Sequence, residues 1–449
     1  MNEIRQADGE LAHLPKEAVN RLTASFARFL QFEVAAAAVL LLATVAALVL
    51  SNSPWAHHFL EAWETQVGFQ IGTLHFVRSL RDWINDGLMT LFFFLVALEL
   101  KRELVLGELK HPRVAALSIA SALGGMVVPA GVYLALLWGQ PGETGWGTVM
   151  ATDTAFVLGC LALLGSRIPQ SLRVFMLSLA IVDDLGAILV LAIGYSSDIS
   201  WGALSVGILG LASVRIMALA GVRSTPVYLL VGCFVWLAVD VSGIHATVTG
   251  VILGLLTPAR RWVSDERLYA ILRQVVAHPA RDEGSGNTRD RETLRVAEIA
   301  ARETLSPVER LERALHPWVG FVIMPLFAIS NAGLPLAFGD LNASVVVAVF
   351  VGFALGKPIG VFTFSWLAVR SGLAVRPLDL GWRLIAGGAL LAGIGFTMAL
   401  FIGNLAFGSE LIDSAKLGIF LGSIFSAGAG LALLMWSTRR RALPEADLN

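Results

Sequence analysis

Long apolar runs separated by short polar breaks fill the chain from residue 29 to residue 437. A helix needs about 20 mostly apolar residues to cross a bilayer. On that measure the pattern predicts twelve spans: 29–51, 84–104, 114–138, 146–165, 172–196, 200–220, 225–240, 243–258, 317–338, 343–369, 378–404 and 413–437. Asp240 and Gly243 divide the seventh and eighth, which only Val241 and Ser242 separate. The predicted fold class is an all-α polytopic membrane protein with a polar segment 1–28, one twelve-span domain 29–437 and a tail 438–449. Two stretches do not read as spans. Residues 52–83 form a connection with a candidate hairpin from Gln66 to Phe76, where Gly68 and Gly72 interrupt an apolar alternation. It is either a homodimer contact or a plain surface loop. Residues 262–313, within the loop 259–316, are charged. The loop includes RDEGSGNTRDRE, whose composition predicts a flexible tract, and then ETLRVAEIAARETLSPVERLERAL, which has helical spacing.

Composition agrees with the pattern. The chain of 449 residues is 56% hydrophobic and 15% charged, against about 25% charged in an average soluble domain. A net charge of −1 gives nucleic acid no reason to bind. Counting a residue in the first or last four of a span with the side it adjoins, Arg78, Arg81 and Lys416 of the 33 Lys and Arg residues fall on one side and Arg215, Lys357 and Arg383 within spans. The other 27 lie on the opposite side, an imbalance that survives removal of the 259–316 loop. By the positive-inside rule that side is the cytoplasm, with both termini and the 259–316 loop, while 52–83 lies outside. Cys160 and Cys233 sit in apolar runs without metal-ligand spacing and read as small core residues rather than a disulfide. Residues 1–28 lack the apolar core and small-residue cleavage site of a removable signal peptide.

Six places break the apolar rule: Asp183-Asp184 in span five, Thr152-Asp153 in span four, Lys357 in span ten, GIGFT (393–397) in span eleven, SGIHAT (242–247) at the start of span eight and LELKREL (98–104) at the end of span two. A charge at the bilayer centre costs at least about 2.5–3.5 kcal/mol, and such residues usually mark ion pathways or proton relays. Lys357 is the natural partner of one aspartate, since an ammonium alone in hydrocarbon sheds its proton. It forms either part of the site or a purely structural pair between spans ten and five. Three carboxylates against one Lys leave surplus negative charge, which suits a proton or a cation. A hard cation such as sodium wants oxygen ligands. Asp184, Asp153, Thr152 and carbonyls freed at a helix break can supply them. Gly393 and Gly395 point to such a break in span eleven, or else to close helix packing. The signal in span four is weaker. Interrupted spans at matching places in two halves mark transporter sites, and spans 3–5 and 10–12 would be those halves. His245 is a candidate pH-responsive group or a polar anchor. Glu99, Lys101, Arg102 and Glu103 are interfacial charges or a cation funnel.

Taken together, IVDDLGAI, ATDTAFVLG, LGKPIGV, SGIHATVTGVILGLLTPAR, LHPWVGFVIMPLFAISNAG, GIGFTMALFIGNLAF and LELKREL resemble the NhaA family of bacterial sodium/proton antiporters. The resemblance runs from span two to span eleven in unbroken order. It implies inverted repeats, with spans four and eleven broken and crossing, and a place in the bacterial inner membrane. It also implies Asp184 as the main ion-binding carboxylate with Asp153 and Thr152 nearby, Asp183 paired with Lys357, and sodium held among Asp184, Asp183, Asp153 and Thr152. Asp153 and Lys357 would balance the half-helix dipoles. Glu312 matches a position linked to pH activation, and Glu99 and Glu103 do so more loosely. The chain departs from the family pattern at Ala97, where Gly is expected, at Thr154, where Ile is expected, and at Ser330 and Ala399. Thr154 brings a further hydroxyl to the site.

The expected function is electrogenic, pH-regulated exchange of sodium or lithium for protons by alternating access, with no cofactor and no enzymatic activity. The alternative is a sodium-coupled organic-solute transporter of similar fold, although three acidic residues and no central Arg disfavour an anionic cargo. An intramembrane aspartyl protease would want GxGD and Pro-Ala-Leu motifs, and neither is present. A passive cation channel is separated from these only by the resemblance.

Overall fold

Hydrocarbon offers no hydrogen bonds, so an apolar run satisfies its own backbone by becoming a helix. The computed structural model describes residues 32–71, 74–105, 107, 110, 112–195, 199–222, 225–259, 263–277, 288–335 and 341–439. The segment 1–28, most of the tail and part of the RDEGSGNTRDRE tract lie outside them. Helix α1 is Phe32–Ser51 and α2 is Ala56–Trp63. Strands β1 (Gln66–Ile71) and β2 (Leu74–Ser79) pair antiparallel, with Gln66 opposite Ser79. The expected hairpin is therefore present and three residues longer than the pattern indicated. Then follow α3 (Leu80–Val105), α4 (Pro112–Leu137), a 3-10 turn Glu143–Met150, α5 (Thr154–Leu163), α6 (Gln170–Gly194), α7 (Trp201–Leu219), α8 (Thr225–Val241) and α9 (Thr247–Leu256). After α10 (Asp265–Ala277) and α11 (Thr288–Glu303) come α12 (Pro307–Asn331), α13 (Ala343–Arg370), α14 (Trp382–Ala392), α15 (Phe396–Ala406) and α16 (Ile412–Arg439).

Among the described residues, nine helices are long and apolar enough to cross a membrane. A tenth span forms if the bent pair α14 and α15, 44° apart, counts as one. Two further apolar helices, Pro226–Val241 and Thr247–Leu256, are shorter. The eighth run begins its helix at Thr247 rather than Gly243. The ninth begins earlier than its apolar run, because Ser306 and Glu309 form a capping box and Pro307 suits the first turn.

Three π-turns punctuate the spans: Trp83–Leu88, Val319–Ile323 and Gly352–Gly356. Two of them end two residues before Pro325 and Pro358. A proline ring clashes with the carbonyl four residues back, and a wide turn absorbs that clash.

Glycines set the tightest contacts. Gly124 of α4 and Gly360 of α13 face each other so closely that a Cβ on Gly360 would lie 2.7 Å from the Gly124 carbonyl carbon. Gly254 of α9 packs against Ala97 of α3, where an added Cβ would meet the Ala97 methyl at 2.6 Å. The alanine that departs from the family pattern fits because its neighbour has no side chain. Helices α7 and α8 pack on one another at the rim and carry many exposed apolar residues, among them Leu209, Ile216, Leu230 and Phe234. Cys233 is exposed on α8, contrary to the core placement expected for it, and no disulfide forms with Cys160.

Candidate functional site

Two broken spans build the centre. Between the 3-10 turn and α5, residues 151–153 are extended. Between α14 and α15, residues 393–395 leave the helix, as the glycines Gly393 and Gly395 foretold. The two breaks meet and hold each other. The Asp153 amide donates to the Ile394 carbonyl at 2.6 Å. The Thr397 amide donates to Asp153 Oδ2 at 2.9 Å, and the Thr397 hydroxyl donates to the same oxygen. Asp153 Oδ1 accepts from the Phe156 amide at 3.2 Å. One carboxylate thus caps two helix N-termini, α5 and α15, where backbone N–H groups and the helix dipole favour negative charge.

Lys357 does the converse. It is the first residue after the Gly352–Gly356 π-turn and is 0% exposed. Its ammonium donates to the Met150 carbonyl, at the C-terminal end of the 3-10 half, and to Asp183 Oδ2 at 2.7 Å. The aspartate that Lys357 joins, left open by composition and spacing, is therefore Asp183. The Thr152 hydroxyl lies 2.6 Å from the same Asp183 oxygen and 3.1 Å from the Ala392 carbonyl, two acceptors for its single proton.

Asp184 stands apart. It is 2% exposed, and its Oδ2 accepts from the Thr154 hydroxyl at 3.3 Å. Oδ1 of Asp184 and Oδ1 of Asp183 have no hydrogen-bond partner. Buried acceptors are rarely left so. Among the described residues no three His, Cys, Asp or Glu side chains cluster closely enough to hold a metal ion. A cation at Asp184 would complete its shell with hydroxyl, carbonyl and water oxygens.

The remaining candidates separate to the two ends of the bundle. At the end away from the hairpin, Arg102 contacts Glu312 at 3.0 Å and Glu103 at 3.4 Å, with Glu99 within electrostatic reach of all three. His245 is at the hairpin end. It lines a polar vestibule of about 420 Å³ with Asp86, Asp240, Tyr195 and Asn404. There Arg78, from β2, bridges Asp86 of α3 and Asp240 of α8 at 2.5 Å each. Below them, the Asn331 amide donates to Asn85 Oδ1 and Ser330 Oγ at 2.8 Å, and Asn404 donates to Asn331 at 2.8 Å. Ser330, another departure from the family pattern, thus joins an amide cluster linking α3, α12 and α15.

Sequence reasoning named Thr397 only as the last residue of GIGFT, with no role given to it, and did not single out the Met150 and Ile394 carbonyls or the Arg78 bridge. Thr397 had a signal: a hydroxyl two residues past the glycine break stands where a half-helix begins. The carbonyls had none, because every residue has one. Arg78 and Asp240 are 162 positions apart, and nothing in either segment names the other.

The sequence model of the family described as Na+/H+ antiporter 1 matches residues 27–434. "Na(+)/H(+) antiporter NhaA 2" of Acidiphilium cryptum (strain JF-5) is 61% identical over 436 residues, covering 97% of each chain. "Na(+)/H(+) antiporter NhaA" of Rhizobium meliloti (strain 1021) is 57% identical over 433 residues, covering 96% of this chain and 99% of the relative. "Na(+)/H(+) antiporter NhaA 2" of Vibrio vulnificus (strain CMCP6) is 53% identical over 436 residues, 97% and 98% of the two. With two helix breaks bonded to each other, a buried Lys357–Asp183 pair and near-complete coverage by such relatives, the chain belongs to the Na+/H+ antiporter 1 family.

Proposed function

We propose that this chain is a sodium/proton antiporter that also accepts lithium, in which sodium and protons compete for Asp184. The observation that carries the reading is the unpartnered Asp184 oxygen, buried beside a crossing whose other charges are already matched. Asp153 is committed to two helix ends and Asp183 to Lys357, so one carboxylate is left over. Sodium binds it when ionised, and protonation expels sodium. A switch of the crossing between two sides then carries protons one way and sodium the other, without a nucleotide or cofactor. Two protons against one sodium would move one net charge per cycle, worth about 2.3 kcal/mol per 100 mV.

The rest of the reading follows the same line. Twelve spans arise if α8 and α9 each count with the nine long helices and the bent pair. The positive-inside imbalance puts both termini and the Glu312 end in the cytoplasm of a bacterial inner membrane. The hairpin is then on the outer face, where it is available for a homodimer. Exchange is pH-regulated through the Glu312, Glu99 and Glu103 cluster, with His245 as a second candidate.

The test is a pH-gradient assay in proteoliposomes with sodium, lithium and potassium added in turn. Sodium and lithium should collapse the gradient and potassium should not, and Asp184→Asn should abolish the response while inserting and folding. Wild-type sodium-driven flux from Asp184→Asn would sink the assignment.

A further inference from the structure

We propose that the Thr154 hydroxyl is a ligand of the transported cation and that it tilts the site toward sodium over lithium. The inference rests on Asp184 being the ion-binding carboxylate.

The argument is one of elimination among oxygens. The Thr152 hydroxyl gives its proton to Asp183 Oδ2 or to the Ala392 carbonyl and sits on the Lys357 side of the site. Both Asp153 oxygens are taken, by Phe156 and by two donors of Thr397. The Met150 carbonyl is covered by the Lys357 ammonium, and the Ile394 carbonyl by the Asp153 amide. Of these side-chain oxygens, those that remain are Asp184's own, Asp183 Oδ1 on the carboxylate bound to Lys357, and the Thr154 hydroxyl, which is the one neutral ligand among them.

Thr154 is also suitably built. It is the first residue of α5, and its β-branched side chain has few rotamers. Its hydroxyl proton points at Asp184 Oδ2, which leaves two lone pairs. The residue is half-buried while Asp153 and Asp184 beside it are buried. The hydroxyl therefore stands where a cation would arrive, next to the carboxylate it would bind. Asp184 Oδ1, buried and unpartnered, is a second acceptor at the same place.

Sodium is larger than lithium and fills a wider shell. Losing one neutral oxygen leaves sodium short, whereas lithium is satisfied by fewer, closer ligands. Thr154→Val keeps the shape and removes the hydroxyl, and Thr154→Ser restores it.

Exchange kinetics in proteoliposomes at fixed pH test the idea. In Thr154→Val the sodium KM should rise about fivefold, the factor that corresponds to one net hydrogen-bond-sized interaction. The lithium KM should change less than about twofold. Thr154→Ser should return the sodium KM to that of the parent. An unchanged sodium KM in Thr154→Val overturns the proposal, as does an equal loss for both ions that Ser does not rescue. Asp184→Asn is measured alongside. If it is inactive while Thr154→Val matches the parent, only this inference falls. If Asp184→Asn still exchanges sodium, the reading of the site itself falls.

Discussion

Replacing Lys357 by Ala removes the counter-charge of Asp183 and the donor that covers the Met150 carbonyl. Both partners are fully buried and 2.7 Å apart. Two unit charges at that distance attract by about 6 kcal/mol at an effective dielectric of about 20. Desolvation offsets part of this, so the measurable cost of losing one member is about 3–5 kcal/mol. The cost comes mainly from the carboxylate left behind. Neutralising that carboxylate in the same molecule should therefore recover more than half of the loss, since an amide at Asp183 can still accept from Thr152. The assay is equilibrium unfolding in mixed micelles of the parent, Lys357→Ala, Asp183→Asn and the double variant. A coupling of about 2 kcal/mol or more is expected, which lies within the range for residues in direct contact. If the double variant were as unstable as the sum of the singles, the two side chains would not be acting on each other, and the account of the crossing would have to be abandoned.

Glu312→Gln should shift the pH profile of exchange when pH is varied on the Glu312 side, while His245→Ala should respond only from the hairpin side; in vesicles of the two orientations, identical responses would refute the separation. As pH rises from 6 to 9 the apparent sodium KM of the parent should fall, by up to about tenfold per pH unit for each proton that must leave first, and level off once the carboxylate is ionised; a KM that does not fall at all would exclude competition at one carboxylate. Thr397→Val should destabilise by about 1.5–3 kcal/mol, because Asp153 loses a charge-assisted bond; an unchanged unfolding midpoint would show that the bond contributes nothing. Gly360→Leu should part α4 from α13 and carry Lys357 off Asp183, so exchange should be lost although every charged residue is intact. Near-parent exchange by that variant would show the contact is not needed.

The sequence was most readable where one physical rule acts alone. Apolar length located the helices, and Gly393 with Gly395 marked a break that the backbone takes. The ends were harder to read. The helix α12 starts well before its apolar run because the capping box at Ser306 and Glu309 extends it through charged residues. The α9 helix starts late because Gly243 to Ala246 line a vestibule instead. Asp183 and Asp184 are adjacent, and composition and spacing do not tell them apart; the family resemblance does, and in the fold one faces Lys357 and the other faces Thr154. The break in span four was nearly silent, because MATDTAFVLG carries no glycine or proline at the extended residues. It is held open by hydrogen bonds with Ile394 and Thr397 at the other break, which local sequence does not encode.

The shortness of α9 has a further, electrical consequence. Ten residues rise about 15 Å, half of a hydrocarbon layer about 30 Å thick. On the hairpin side the missing length is replaced by the polar vestibule that Ala246 and His245 line. A membrane potential falls across low-dielectric material and hardly at all across water. The voltage would therefore be concentrated on the thin septum around the crossing, and a charge displaced there by a few ångströms would feel a large share of it. The voltage sensitivity of exchange would then be set by how many charges cross that septum, and hardly by how far the helices move.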